Sequence, residues 1–295
     1  MNNNIEISPY GNMLVYKKGY SAEFVQKNIA ENRLSGLRIF DHLDNLDSLD
    51  FLSEYTFLEK LDIDCINDQD YSFLKKLTNL KSLGIGLSTT EKNIIDLSNQ
   101  TNLESLSIQW RKGNILGLDK CNKVTLLCLV DYSEKDFYPI SSLVNLEDLK
   151  VKTSLMNNCF GIENLTKLKS ILLGNCKKLS SLDGLGILKN VTSLSFDLCP
   201  QIKNYDEIGN LHNLENLQIT DCKGVGSIKF IENLTALKRL SLIGNTDILD
   251  GDLLPAQKVK EVFYKHRKHY NIKIDNEEYD SLVKSNLNKL KGLFK

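Results

Sequence analysis

The sequence predicts an α/β repeat solenoid, a curved stack of short units with a parallel β-sheet on its concave wall. Three observations carry this. The string Asn-Leu-x-x-Leu-x-(Ile/Val) recurs as Asn79-Leu80 to Ile85, Asn102-Leu103 to Ile108, Asn145-Leu146 to Val151 and Asn213-Leu214 to Ile219. Its leading apolar slot is filled by Leu34, Leu58, Leu80, Leu103, Val124, Leu146, Leu168, Val191, Leu214 and Leu237, at spacings of 24, 22, 23, 21, 22, 22, 23, 23 and 23 residues. Within each copy apolar and polar residues alternate, as in a short strand. A unit this small cannot bury its apolar face alone, so successive copies must stack and form one continuous core.

Residues 1–33 precede the repeats and are expected to be an N-terminal cap, which shields the apolar face of the first unit from water. Ile5-Glu6-Ile7 and Met13 to Tyr16 flank the turn signal Ser8-Pro9-Tyr10-Gly11, which predicts a hairpin. Ser21 then stands where it can cap a short helix carrying Phe24, Val25 and Ile29 on one side. Residues 34–255 are read as the solenoid. On its return path apolar residues come every third position, as in Ile162, Leu165, Leu168 and in Leu179, Leu182, Leu185, a spacing that suits 3₁₀ turns and loops on the convex side. The same rule in the acidic stretch after Phe40 turns Leu43, Leu46, Leu49 and Leu52 inward and Asp41, Asp44, Asp47 and Asp50 to solvent. Residues 256–295 are expected to be a helical C-terminal cap. Tyr279, Leu282, Val283, Leu287, Leu290, Leu293 and Phe294 fall at helical spacing, and Asn276 to Leu293 read as an amphipathic helix over the last turn.

The seven cysteines are an odd number, and Cys176, Cys199 and Cys222 lie 23 residues apart with Asn245 another 23 beyond. In the template Leu-x-x-Leu-x-Leu-x-x-Asn/Cys all four take the ninth position, where a small donor turns inward to bond loop carbonyls. A ladder with one sulfur per turn is structural, because a metal cluster needs ligands that converge. The net charge of −1 hides an asymmetry. Residues 41–70 hold ten carboxylates and one lysine, and residues 256–295 hold ten Lys/Arg against five Asp/Glu. The first 10 residues carry no basic segment followed by an apolar run, and no stretch reaches membrane-span length, so the expectation is a cytoplasmic chain.

These units resemble leucine-rich repeats of the short, 22-residue class found in bacterial internalins and in a phosphatase-1 regulatory subunit. The match covers Leu34 to Ile248. It implies a right-handed leucine-rich-repeat horseshoe whose concave face, and sometimes its edges, binds another protein. Two departures stand out. Internalins are exported and no export signal is seen here, and copies three to six place Ser88, Arg111, Tyr132 and Ser154 at the ninth position.

Catalytic motifs are missing from the sequence. There is no P-loop, nucleophile elbow, His-Glu-x-x-His or Cys-x-x-Cys, and Gly84-Ile85-Gly86 lacks the third glycine of a dinucleotide site. No cofactor, metal or enzymatic activity is expected. Strand alternation leaves the fifth and seventh positions of each copy facing solvent on the concave wall. The fifth column includes Arg38, Asp62 and Lys150. The seventh includes Phe40, Asp64, Lys152 and Asp197. Trp110, the sole tryptophan, sits beside Arg111 just past a strand, with Asp131 and Tyr132 one turn later. Aromatic and arginine residues are the usual interface anchors. The expected partner-binding set is therefore Trp110, Arg111, Asp131, Tyr132, Lys150, Lys152, Asp62, Asp64, Phe40 and Asp197. The acidic lobe points to a basic protein partner of an immunity or inhibitor type, with no nucleic acid or membrane and a monomeric state. A secreted virulence effector acting on host proteins is the alternative.

Overall fold

The computed structural model describes residues 5–9, 11–41, 46–67, 69–86 and 92–274. The predicted amphipathic helix at 276–293 lies outside them, as do residues 43, 44, 68 and 88.

The chain forms the strands β1 (Ile7–Ser8), β2 (Met13–Val15), β3 (Leu37–Phe40), β4 (Lys60–Asp64), β5 (Ser82–Gly86), β6 (Ile95–Asp96), β7 (Ser105–Gln109), β8 (Ile115–Leu116) and β9 (Leu126–Tyr132). The chain continues through β10 (Asp148–Ser154), β11 (Ser170–Cys176), β12 (Ser193–Asp197), β13 (Asn216–Thr220), β14 (Lys223–Val225), β15 (Arg239–Ile243), β16 (Thr246–Ile248) and β17 (Glu261–Tyr264). Thirteen of them form one sheet in the order β1-β2-β3-β4-β5-β7-β9-β10-β11-β12-β13-β15-β17, while β6 pairs with β8 and β14 with β16. β1 runs antiparallel to β2, and every later neighbour is parallel. The register places equivalent motif positions side by side, so Leu37, Leu61, Leu83, Leu106, Leu127 and Leu149 form one continuous row. All six are buried.

The sheet does not stop at residue 255. Val262 pairs with Leu240, and Val259, Val262 and Tyr264 fill the first, fourth and sixth motif positions of a further copy. That copy has no leucine, so the leucine period does not mark it. At the other end Leu14 pairs with Leu37, so β2 extends the same rows into the hairpin. The helix α1 (Ala22–Glu31) starts at Ser21, whose hydroxyl accepts the Phe24 N–H at 3.1 Å, and it buries Val25. Tyr16 stacks on Phe51 at 4.6 Å between centroids, and the Tyr55 hydroxyl donates to the Tyr20 carbonyl at 2.6 Å. The helix is thereby fixed to the first turns.

The return paths are short 3₁₀ turns, among them Asp50–Glu54, Ser72–Lys76, Tyr138–Ile140, Asp206–Asn210 and Lys229–Asn233. Each of these five is entered by a side-chain acceptor two residues ahead of a backbone N–H: Ser48 to Asp50, Asp70 to Ser72, Asp136 to Tyr138, Asn204 to Asp206 and Ser227 to Lys229. Asp70, counted above within the acidic lobe, thus serves a turn.

The asparagine that opens each motif has its own task. Asn79, Asn102, Asn145, Asn190 and Asn213 each donate the side-chain amide to a carbonyl one repeat earlier, on Thr56, Thr78, Asn122, Thr166 and Lys189. Where lysine replaces asparagine, Lys123 and Lys167 instead donate to the amide oxygens of Asn102 and Asn145. The recurring asparagine stitches neighbouring turns together at their edge.

Candidate functional site

Beyond each strand the chain must turn, and the turn decides which side chain goes inward. In copies five to nine the eighth motif position adopts a left-handed backbone at Asp131, Thr153, Asn175, Leu198 and Asp221. The residue after it then points to the core: Tyr132, Ser154, Cys176, Cys199 and Cys222 are all buried. Ser154 donates to the Tyr132 carbonyl at 2.9 Å, Cys199 to the Leu173 carbonyl at 3.3 Å and Cys222 to the Thr220 carbonyl at 3.2 Å. In the tenth copy Asn245 is exposed, and Thr246 takes the inward place, donating to the Ile219 carbonyl at 3.1 Å and accepting from the Cys222 N–H. The ladder runs one residue later there than the motif count predicts.

This turn corrects four expectations. Tyr132 is fully buried and its hydroxyl donates to the Asp136 carbonyl at 2.7 Å. Trp110 is 5% exposed, meets the Tyr132 ring edge-on at 4.9 Å and donates its indole N–H to Glu134 at 3.1 Å. Arg111 is 1% exposed, with its guanidinium 5.0 Å from the centre of the Tyr71 ring and a bond to the Asn93 carbonyl. Without a left-handed residue at position eight of this copy, both Trp110 and Arg111 turn into the stack. These three are core residues and are not available to a partner. Asp41 is the fourth: it is 2% exposed and accepts the backbone N–H groups of Ile66 and Asn67 at 3.0 and 2.9 Å. Among its described residues the acidic run is dispersed. Asp47, Asp50 and Glu54 lie on the return path, Glu59 pairs with Lys81 at 2.9 Å, and Asp62 and Asp64 stand on the sheet.

What the concave wall does present changes along its length. Its N-terminal part is an open depression of about 520 Å³. Gly84 and Gly86 line the depression, and β5 offers no side chain at these two solvent-facing positions. Arg38, Asp62 and Asp64 stand on one side, and Gln109, Val130 and Asp131 on the other. Arg38 contacts Asp64 at 2.5 Å and lies over Phe40 with its guanidinium carbon 5.0 Å from the ring centre. Burial raises the Asp62 carboxyl above its ordinary value against the opposing pull of Lys60 and Arg38.

The middle of the wall is apolar, with two lysines. Cys128, Lys150 and Leu172 are paired side by side, as are Val130, Lys152 and Gly174. Lys152 is exposed, and Lys150 is half-buried, 3.6 Å from Asp148. Toward the C-terminus the wall becomes small and polar through Ser195, Gln218 and Ser241. Asp197 is half-buried there, and burial with the nearby Asp221 raises its carboxyl. Sequence columns found Arg38, Asp62, Asp64, Lys150 and Lys152, but not that two glycines in one strand open a depression between the charged flanks. Among the described residues no group of three or more His, Cys, Asp or Glu converges as a metal site. No described helix is long and apolar enough to cross a membrane.

No family model and no curated protein matches the chain. Solved structures do. An internalin, InlF of Listeria monocytogenes, is 20% identical over 78% of this chain and 72% of that one, with a TM-score of 0.54. TLR13, in its complex with ssRNA13, is 19% identical over 84% of this chain and 38% of that one, with a TM-score of 0.63. Rows of parallel strands, turns in place of convex helices and this likeness define the class: the chain has the fold of a leucine-rich-repeat solenoid, with a parallel sheet on its concave wall.

Proposed function

We propose that the chain is a non-catalytic recognition module that binds a partner protein through its concave wall. One observation carries this reading. Half-exposed Leu126, Cys128, Val130 and Leu172 form a contiguous apolar band in the middle of the sheet, between carboxylates on one side and the small polar residues Ser195 and Gln218 on the other. An open sheet face in water favours polar residues, and apolar contact area rimmed by charge is what a protein interface supplies. The site set contracts to Phe40, Asp62, Asp64, Asp131, Lys150, Lys152 and Asp197. The acidic depression favours a basic partner and disfavours nucleic acid there, although TLR13 is the neighbour whose structure holds RNA. Within this reading the chain acts as a monomeric inhibitor of the immunity type, masking a basic protein. Seven cysteines without a disulfide suit a cytoplasmic, reducing setting.

Affinity capture with the wild type and with Leu172→Glu tests it. Leu172 is half-exposed on a strand, so the substitution leaves the core intact. A partner that Leu172→Glu no longer retains supports the wall as the binding surface. Equal retention by the two proteins removes it.

A further inference from the structure

We infer that the depression over β5 is a seat for a cationic side chain of the protein partner, arginine in preference to lysine. The inference rests on the concave-wall reading and adds the chemistry of one anchor. Three features meet at this point. First, β5 contributes no side chain at Gly84 and Gly86, and the Asp62 and Asp64 carboxylates lean over these two positions in the depression.

Second, the acceptors around it are incompletely used. Asp62 forms no hydrogen bond or ion pair among the described residues, and burial already disfavours its charged form. The Gln109 side-chain oxygen is buried without a hydrogen-bond partner among the described residues, while its amide nitrogen donates to Asp131 at 3.3 Å. An acceptor withdrawn from water and left bare costs free energy that an incoming donor recovers. Third, three carboxylates face the depression against the single guanidinium of Arg38, which Asp64 already holds at 2.5 Å. The surplus is negative.

These features select the occupant. Bare acceptors stand on both flanks of β5, Asp62 on β4 and Gln109 on β7. A planar guanidinium, with donors spread around its edge, can serve both at once, whereas a compact ammonium reaches one. The aliphatic stem of either side chain would lie against Val130 at the rim. Beyond Val130 the next strand presents Lys150 and Lys152, which repel a second cation and so fix where the first must sit.

The test uses a phage-displayed library of random dodecapeptides selected on the full chain. The expected result is a set of peptides with one invariant arginine, competed by arginine amide more strongly than by norleucine amide. Gly84→Leu fills the depression. Its backbone is not left-handed, and a Cβ there meets first the end of the Asp62 side chain, 2.5 Å away, which must turn aside, so the variant's thermal unfolding is measured beside its binding. It should weaken these peptides roughly tenfold or more, and the isosteric Asp62→Asn by roughly threefold. Peptides lost on Leu172→Glu but showing no invariant cation, or unaffected by Gly84→Leu, overturn the cationic seat and leave the concave-wall reading standing. Peptides indifferent to all three substitutions, or no enrichment at all, overturn both.

Discussion

Trp110 donates its indole N–H to the Glu134 carboxylate, 3.1 Å away and one repeat further on. Glu134 also pairs with Lys112 at 3.2 Å, so the tryptophan belongs to a small polar clasp over a buried aromatic pair with Tyr132. A residue that stands out from the repeat pattern is here a strut. Trp110→Ala should cost about 3–5 kcal/mol in urea unfolding. Trp110→Phe, which keeps the packing and drops the donor, should cost about 1 kcal/mol. Neither change should alter peptide binding at the wall in the folded protein, and a selective loss of binding with unchanged stability would return Trp110 to the interface.

The asparagine stitch gives a second expectation. Asn145 donates to the Asn122 carbonyl at 2.7 Å and accepts from Lys167 at 2.6 Å. Asn145→Ala removes both bonds at an exposed edge, and about 1 kcal/mol of stability should go with them. Lys167→Ala removes only the outer bond and should cost less than half as much. Urea midpoints of the two variants decide the order.

Much of this was legible in the sequence, and the rest has a local cause. The rows of Leu61, Leu83 and Leu106 follow from period and alternation alone. The direction of the eighth and ninth side chains does not, because it depends on one backbone angle. Asp131, Asn175 and Asp221 tolerate the left-handed turn and send the next residue inward. Asp41 and Trp110 do not adopt it and turn inward themselves. Thr153 and Leu198 adopt it although their side chains disfavour it, so residue type is an incomplete guide. The depression escaped for a different reason. It is an absence of side chains in one strand, visible only when the charged neighbours of Gly84 are placed on either side of it.

Asp41 carries a further expectation. Its two oxygens accept the Ile66 and Asn67 backbone N–H groups, which tie the turn after β4 to the turn after β3. Hydrogen bonds to a charged group contribute about 1.5–3 kcal/mol each when a buried partner is left bare. Asp41→Ala should therefore lose roughly 2–4 kcal/mol, whereas Asp50→Ala, on the exposed return path, should lose less than about 0.5 kcal/mol. If the two cost the same in thermal unfolding, the acidic run is a uniform surface after all.

The cysteines divide sharply by access. Burial pushes the Cys65 thiol up to about 12 and Cys121 up to about 11. Hydrogen bonding with Cys176, opposed by that with Cys222, and burial push Cys199 up to about 12. Burial raises Cys159, while bonding to Cys199 and burial raise Cys222. The thiolate is the reactive form. Cys128 is half-exposed on the wall and the other six are buried. Iodoacetamide at neutral pH should add one label to the native protein, at Cys128, and seven after unfolding in urea. Labelling of Cys199 or Cys222 at a comparable rate under native conditions would mean that the ladder opens. A bound partner should also protect Cys128, since it lies between Lys150 and Ser107 on the wall.

Asp62 links stability to the proposed seat. Its carboxyl is raised above 3.8, first by burial, so the folded protein binds this proton more tightly than the unfolded chain does. The sign follows from linkage: the favourable contribution is complete below the unfolded value and is lost as pH rises through the folded one. At neutral pH the native state therefore carries an ionised, partly buried carboxylate at a cost. Asp62→Asn, which cannot ionise, should be more stable than the wild type at pH 7 by about 0.5 kcal/mol, a small figure because solvent still reaches the group. The difference should shrink as pH falls toward the ordinary carboxylate range and vanish below it. Chemical unfolding of both proteins across that range gives the curve. A constant difference would assign the effect to packing, and a destabilised Asp62→Asn would mean that the carboxylate is already paired. A gain in stability together with weaker binding of arginine-bearing peptides would show a residue kept for recognition at the expense of the fold.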